Sequence, residues 1–447
     1  MMESPQETWQ EREFPHWRRN LAVLWCAQFI SLCGFSLSVP FAPYFLRELA
    51  PEASEPRIRL YAGLSSLLTQ VAFAVAAPLW GWVADRYGRK RMVLRAASMG
   101  AVVLGFMGFC QHAWQFLFLR FLQGCFTGTI AASTTLVACN TPRHRAGFAL
   151  GMLSSSIFSG DMTGLLLGGV LSERFGFRNS FHISCGLLVV TTLTVLLLVR
   201  ERFTPPPPLT AATPSSRGGW RETWQCALLP ALPVLCIYGV HSLARLMDQS
   251  QIALYVEELN GGVGFPGREL YTGWIMGAGA LGAVLAGFVL ARHIDARAAA
   301  IAQWLGAIAG SAVLVMALLP FLLPATPRIQ PFGFGRETTW AVMAMIPLRF
   351  LMVFCAGGME PICTAWISKV TEPARRGVMF GYAQAVRSCG SGMGHLGACV
   401  LAPLLGVNSV YWAIPLAFFA TSAIVAAFQG KIHRRMAQVE ALGEGKA

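Results

Sequence analysis

The sequence predicts an all-α integral membrane protein whose twelve transmembrane helices form two pseudo-symmetric six-helix bundles. Three observations carry this. Of the 447 residues, 55% are hydrophobic and 13% charged, about half the charged fraction of a soluble domain. Twelve runs are long and apolar enough to cross a bilayer as a helix, which takes roughly 20 residues. A stretch rich in proline, serine and glycine, ERFTPPPPLTAATPSSRGGWRE at 201–222, parts the twelve into six and six. The apolar runs are continuous rather than alternating, which excludes a lipid-facing barrel.

In chain order, residues 1–20 are polar and mixed in charge, with Trp17, Arg18 and Arg19 as interfacial anchors before the first span. No cleavable signal is expected, because the first apolar run is too long for one. The N-terminal bundle covers 21–200, with spans at 21–46, 60–84, 92–111, 114–138, 146–172 and 180–199. The linker covers 201–224. The C-terminal bundle covers 225–428, with spans at 225–256, 270–291, 298–323, 339–368, 377–404 and 409–428, and a tail follows at 429–447. Several spans exceed the minimum length, which predicts tilt or extension beyond the bilayer. Twelve cysteines are scattered without a CxxC pair, so no zinc or redox motif is present.

The net charge of +13 raises the question of nucleic acid, and the positions of the cations answer it. With the N-terminus inside, inner segments hold 22 of the 35 Lys and Arg and outer segments 8. This asymmetry places both termini in the cytoplasm. No interleaved basic and aromatic patch supports nucleic-acid binding.

The halves echo each other. Tyr61-Ala62-Gly63 matches Tyr271-Thr272-Gly273 at an offset of 210, and Arg120-Phe121-Leu122 matches Arg349-Phe350-Leu351 at 229. Gly147, Gly151, Gly160 and Gly164 match Gly377, Gly381, Gly390 and Gly394, all at 230. Such duplication marks secondary transporters, whose site lies near the bilayer midplane between repeats.

Between spans two and three stands Gly81-x-x-x-Asp85-Arg86-x-Gly88-Arg89-Lys90. Gly81 permits close helix approach. Asp85 is placed to cap a helix N-terminus. Gly88 permits a tight turn, and the cations hold the loop on the inner face. At an offset of 210 only Asp295 survives from this set, so one half carries the full latch. The stretch resembles the loop signature of the major facilitator superfamily. Phe116-x-x-x-Arg120-x-x-Gln123-Gly124 resembles that superfamily's span-four motif, whose arginine is implicated in proton coupling. Gly160-x-x-x-Gly164-Leu165-x-x-Gly168-Gly169 resembles the antiporter motif of drug exporters, with Leu165 where proline is usual. Trp17-Arg18-Arg19-Asn20-Leu21 and Phe35-Ser36-Leu37-x-x-Pro40-Phe41 extend the likeness to the twelve-span drug:proton antiporters of the multidrug-resistance G type. The resemblance implies the major facilitator fold and proton-coupled export of small amphipathic molecules from the cytoplasm across the inner membrane. It implies alternating access powered by the proton gradient, with no other cofactor. The expected partners are small-molecule substrate, protons and membrane lipid, and the expected state is a monomer. Alternatives are a dedicated solute or lipid transporter, working by uptake or flipping, and a transport-inactive sensor. No metal spacing or nucleophile motif points to an enzyme.

A charge within a span is costly and normally faces a partner or a wet cavity. The clear intramembrane acids are Asp161, Asp248 and Glu360, and with Arg120 they are the proton-coupling candidates. Asp161 and Arg120 differ in depth by about 7 Å, so a switchable pair between them is expected. Arg245 and Asp248 stand three apart, the spacing of a local pair. Arg349 and Glu360 are eleven apart, about 16 Å along a helix, too far to touch. Gln28, Phe35, Tyr238, Arg245, Arg349, Arg387 and His395 are cavity candidates. The arginines among these allow an anionic substrate, and the acids a cationic one.

Overall fold

In hydrocarbon the backbone has no water to bond, so a crossing segment must satisfy its own N–H and C=O groups as helix. The computed structural model shows this almost throughout. It describes residues 16–38, 41–142, 145–201, 229–290, 294–323, 328–330, 337–371 and 376–444. Within these, the side chains of residues 78, 81–82, 85–86, 138–139, 146–147, 288, 290, 294–297, 376–378 and 440–444 lie outside the description.

The first half holds α1 (Trp17–Ser38), α2 (Ala42–Leu49), α3 (Glu55–Tyr87), α4 (Arg89–Met107), α5 (Ala113–Phe126), α6 (Thr129–Cys139) and α7 (Ala146–Leu198). The second holds α8 (Leu229–Leu246), α9 (Ile252–Leu259), α10 (Arg268–Leu290), α11 (Ile294–Leu322), α12 (Trp340–Val370), α13 (Arg376–Leu405) and α14 (Asn408–Glu444). The α14 helix runs on well past the span that ends at 428. A short antiparallel pair, β1 (Arg328–Ile329) and β2 (Thr338–Thr339), precedes α12. Thr339 then caps that helix by accepting from the Val342 N–H.

Among the described residues, ten helices are long and apolar enough to cross a membrane. Two features reconcile ten with the twelve expected spans. Arg89, Lys90, Arg91 and Arg95 crowd the start of α4 and lower its apolarity. The α7 helix contains two spans, because Gly176 stands at φ 78 and ψ 168 within it. The Trp25 indole donates to Ser155 at 3.0 Å, while Thr191 donates to the Ala27 carbonyl at 3.4 Å. Ser155 and Thr191 would lie about 54 Å apart on a straight helix, yet they meet neighbouring turns of α1. The chain therefore doubles back at Gly176, whose positive φ suits glycine alone.

Three spans are each made of two helices. The first is α1 with α2, the fourth α5 with α6, and the seventh α8 with α9. Gly128, at φ 129, breaks the fourth. In the seventh, the Asp248 carbonyl accepts from the Gln251 and Ile252 N–H groups at 2.8 and 2.9 Å and closes a turn.

Packing divides the chain into two units. One comprises Met1–Ala53, Leu68–Pro206 and Gly267–Ala280; the other comprises Ser54–Leu67, Pro207–Pro266 and Leu281–Ala447. The division thus departs from a cut at the linker by two short segments, one from α3 and one from α10. The first unit has a buried core of Leu24, Val93, Leu136, Leu153 and Val195.

Glycine decides the closest contacts. Gly160 lies on Phe29, Gly164 on Cys33 and Gly168 on Leu37, so three motif glycines form one seam of α7 along α1. Gly169 faces elsewhere: a Cβ there would lie 2.7 Å from the Glu269 carbonyl of α10. The second unit repeats the seam, with Gly390 on Gly239 and Gly394 on Leu243, between α13 and α8. These partners stand 210 residues beyond Phe29 and Cys33, so the repeat read in the sequence is a repeat of contacts. The exchanged segments repeat as well. Gly273 meets Gly169 in the first unit, and its counterpart Gly63 meets Cys399 in the second.

A Cβ at Gly164 would stand 2.5 Å from the Cys33 carbonyl, whereas one at Gly151 meets nothing within 4 Å. Gly164→Ala is therefore expected to cost about 1–3 kcal/mol and to lower the thermal midpoint in detergent. Gly151→Ala is expected to leave the midpoint unchanged or raised.

Candidate functional site

The intramembrane charges lie apart in the first unit and cluster in the second. In the first, Arg120 sits on α5 two turns before the Gly128 break and is 5% exposed. Its guanidinium donates to Gln123 Oε1 at 2.6 Å, one turn along the same helix. Gly124 has no side chain, so Thr69 of α3 comes close and donates its hydroxyl to the Arg120 carbonyl at 2.9 Å. Asp161, half-buried on α7, accepts from the Ser36 hydroxyl near the end of α1. The pair expected between Asp161 and Arg120 is not among the ion pairs of the described residues. Arg120 is turned along its own helix, and Asp161 toward α1. Depth alone carries no information about the face of a helix.

The cluster in the second unit is built by α8, α12 and α13. Tyr238, His241 and Arg245 lie at i, i+3 and i+7, one face of α8. That face meets Glu360 of α12. The Glu360 carboxylate accepts from Arg245 at 2.5 Å, from Arg387 of α13 at 2.8 Å and from the Tyr238 hydroxyl at 3.4 Å. Side-chain exposure is 23% for Glu360 and 41% for Arg387, so this cluster is open on one side. Its formal charge is +1, two guanidiniums against one carboxylate. The His241 Nε2 lies 3.0 Å from the Ala356 carbonyl, and its Nδ1 has no partner among the described residues.

A separate ion pair lies more fully buried in the same unit. Arg349 donates to Asp248, whose side chain is 1% exposed. The same guanidinium touches Met352 Sδ at 3.5 Å. The local pair expected between Arg245 and Asp248 does not form. The α8 helix ends at Leu246, so Asp248 stands in the turn that follows, where helical spacing no longer applies. Arg349 and Glu360 keep separate partners, as their spacing on α12 requires.

The remaining candidates divide. Gln28 is 2% exposed, and its Nε2 lacks a partner among the described residues. Phe35 is half-buried with its ring against Gly100 of α4, a packing role. His395 is 4% exposed, with Nδ1 2.8 Å from the Ser391 carbonyl one turn before it.

At the charged loop, Gly88 stands at φ 96 as the residue before α4. The N–H groups of Arg89 and Lys90 donate to the Glu201 carboxylate at 3.1 and 2.9 Å. The Lys90 ammonium donates to the Leu196 and Val199 carbonyls at 2.9 and 2.7 Å. An acid thus caps the positive end of α4 while a cation caps the negative end of α7. Gly81, Asp85 and Arg86 belong to α3, and their side chains lie outside the described residues. Sequence reasoning missed Glu201 and His241. For His241 the stripe with Tyr238 and Arg245 was a usable signal. For Glu201, an acid directly after a span, there was none that named its partner.

The family model of the Major Facilitator Superfamily matches residues 24–343. The multidrug resistance protein MdtG of Rahnella sp. is 30% identical over 415 residues, 92% of this chain and 92% of that protein. The protein of the same name from Proteus mirabilis is 29% identical, covering 92% of this chain and 94% of its own. Among solved structures, a peptide transporter in complex with sulfate aligns with a TM-score of 0.70 at 12% identity, covering 93% of this chain and 95% of its own. An inward-facing bacterial homolog of the human lysosomal transporter Spinster aligns at 0.65 and 15%, over 93% and 96%. Both structures share the fold.

Breaking the deep pair strands one buried charge. Arg349→Met is expected to cost about 3–5 kcal/mol, and adding Asp248→Leu to recover most of that loss. Thermal or denaturant unfolding in detergent checks both.

Proposed function

We propose that this chain, which belongs to the Major Facilitator Superfamily, exports small amphipathic molecules, drugs among them, from the cytoplasm in exchange for protons. The observation that carries the reading is the half-open cluster of Glu360, Arg245, Arg387 and Tyr238, charged groups kept inside apolar helices at a cost, with one side open to a ligand or a proton. The name shared by relatives of nearly full-length match supports a drug-like substrate. The excess of Lys and Arg on one side supports both termini in the cytoplasm and a cytoplasmic, inner-membrane location. The chain works as a monomer in membrane lipid, with the proton gradient as its energy source and no other cofactor. Nucleic acid has no part in it.

The protein alternates its access between the two sides of the membrane. Adding a proton to Glu360 removes the one negative charge between Arg245 and Arg387 and leaves two cations to be compensated. A substrate group, or movement of the helices, then answers that imbalance. Asp161 is the intramembrane acid of the first unit, and a proton there alters its bond with Ser36. A ligand can shift such an equilibrium only by binding its states unequally, and these groups supply the inequality. A second reading, a dedicated carrier of an anionic solute, draws support from the net positive charge of the Glu360 cluster.

The test uses inside-out membrane vesicles with an acidified lumen and a panel of cationic, neutral and anionic amphiphiles. Substrate-induced proton release is expected for several compounds in the wild type. It is expected to fall at least about ten-fold in Asp161→Asn and in Glu360→Gln, a loss of about 1.4 kcal/mol in coupling. Release confined to one anionic compound would favour the dedicated carrier. Release at the wild-type rate in both variants would remove these acids from the proton path.

A further inference from the structure

Away from the intramembrane charges, a groove opens in the first unit between the starts of α1 and α7. It is lined by Trp17, Arg18, Leu21 and Trp25 of α1 and by Arg145 and Phe148 at the start of α7, with Cys26 and Met152 at its far end. Its volume is about 530 Å³, within the range of small-molecule sites. Helix spacing explains its shape. The α1 residues fall on one stripe, and Arg145, Phe148 and Met152 follow at i, i+3 and i+7. From Trp17 to Cys26 the groove is about 13–14 Å long.

Its chemistry is divided lengthwise. Below the rim the walls are indole, phenyl, thioether and alkyl groups. The Trp25 indole N–H is turned away to Ser155 at 3.0 Å, and its ring stacks on Phe29 with centroids 5.7 Å apart. Phe148 is 60% exposed. At the rim stand two guanidiniums, Arg18 and Arg145, both exposed. Arg18 lies over the Trp17 ring at 5.4 Å, which holds it beside the opening. The rim lies at the membrane face that carries the excess of Lys and Arg.

We propose that this groove binds one anionic phospholipid, with its phosphate on Arg18 and Arg145 and an acyl chain between α1 and α7. Guanidinium matches phosphate with paired hydrogen bonds, and two of them at one rim select a negative headgroup over a zwitterionic one. The long apolar wall selects a chain-bearing ligand over free phosphate. The bound lipid bridges the starts of α1 and α7, the same two helices that the Gly160, Gly164 and Gly168 seam joins further along.

The test titrates the purified, delipidated full-length protein with phosphatidylglycerol or phosphatidylcholine and counts bound lipid by native mass spectrometry. Each juxtamembrane cation contributes about five-fold, so one saturable phosphatidylglycerol is expected to bind about thirty-fold more tightly than phosphatidylcholine. The double variant Arg18→Gln with Arg145→Gln is expected to bind both lipids alike. Ala22 also lines the groove, and Ala22→Trp, which fills it and keeps both cations, is expected to weaken phosphatidylglycerol at least about ten-fold. If the double variant fails to fold, Arg145→Gln alone is expected to lower the preference about five-fold. Equal wild-type affinity for the two lipids overturns the proposal. So does a preference undiminished without the arginines, or Ala22→Trp that binds like the wild type.

Discussion

Helices surrounded by lipid gain little from burying apolar side chains against one another, since lipid tails are as apolar as leucine. What holds them is close approach, and close approach needs residues without bulk. The seam of Gly160, Gly164 and Gly168 along α1 supplies it in the first unit, and Gly390 with Gly394 along α8 supplies it in the second. The doubled contact explains why these glycines share one register across the two halves. It also explains how Leu165 stands where a proline is usual without loss of the seam, because all three seam glycines still meet α1. Leu165 itself contributes a carbonyl that Gly273 approaches.

Tight helices leave few places for charge, and the charges use what there is. Arg120 lies shortly before the break at Gly128, Ser36 shortly before the end of α1, and Asp248 within the turn between α8 and α9. Interrupted helix leaves backbone groups that need polar company, and such sites recur where transporters hold ions and substrate. Glu360 obeys a different logic. It lies mid-helix on α12 and is compensated by side chains alone, from Tyr238, Arg245 and Arg387. A carboxylate with two cations on an open side is a site whose balance a proton or a ligand can change. The Asp248–Arg349 pair is by contrast closed off from solvent, with the Asp248 side chain 1% exposed.

The charged loop combines both constraints. Gly88 turns the chain so that α4 begins at once, and Glu201, just beyond the end of α7, covers its N-terminal N–H groups. Lys90 answers the carbonyls at the end of α7. This loop is therefore tied to the segment where the linker begins, and that segment carries the chain into the second half.

Much of the fold was legible in the sequence because it depends on stretches that are contiguous along the chain. A run of apolar residues must be helix in lipid, and glycines in one register must repeat one contact; the proline-rich linker, past Glu201, lies outside the described residues. The candidate charges were legible for the same reason: an acid or arginine inside a span stands out wherever it points. Their partners were not. Glu360 lies more than a hundred residues from Arg245, and Asp248 as far from Arg349. Which faces meet depends on helix rotation and on where α8 stops. Spacing suggested Arg245 with Asp248, and depth suggested Asp161 with Arg120. The end of α8 at Leu246 undid the first, and the turn of Asp161 toward Ser36 undid the second. The sequence alone determined the helices, the duplication and the set of charged groups, because each is a local property of the chain. Only the tertiary structure decided which charge answers which, because that is set by the faces the helices present.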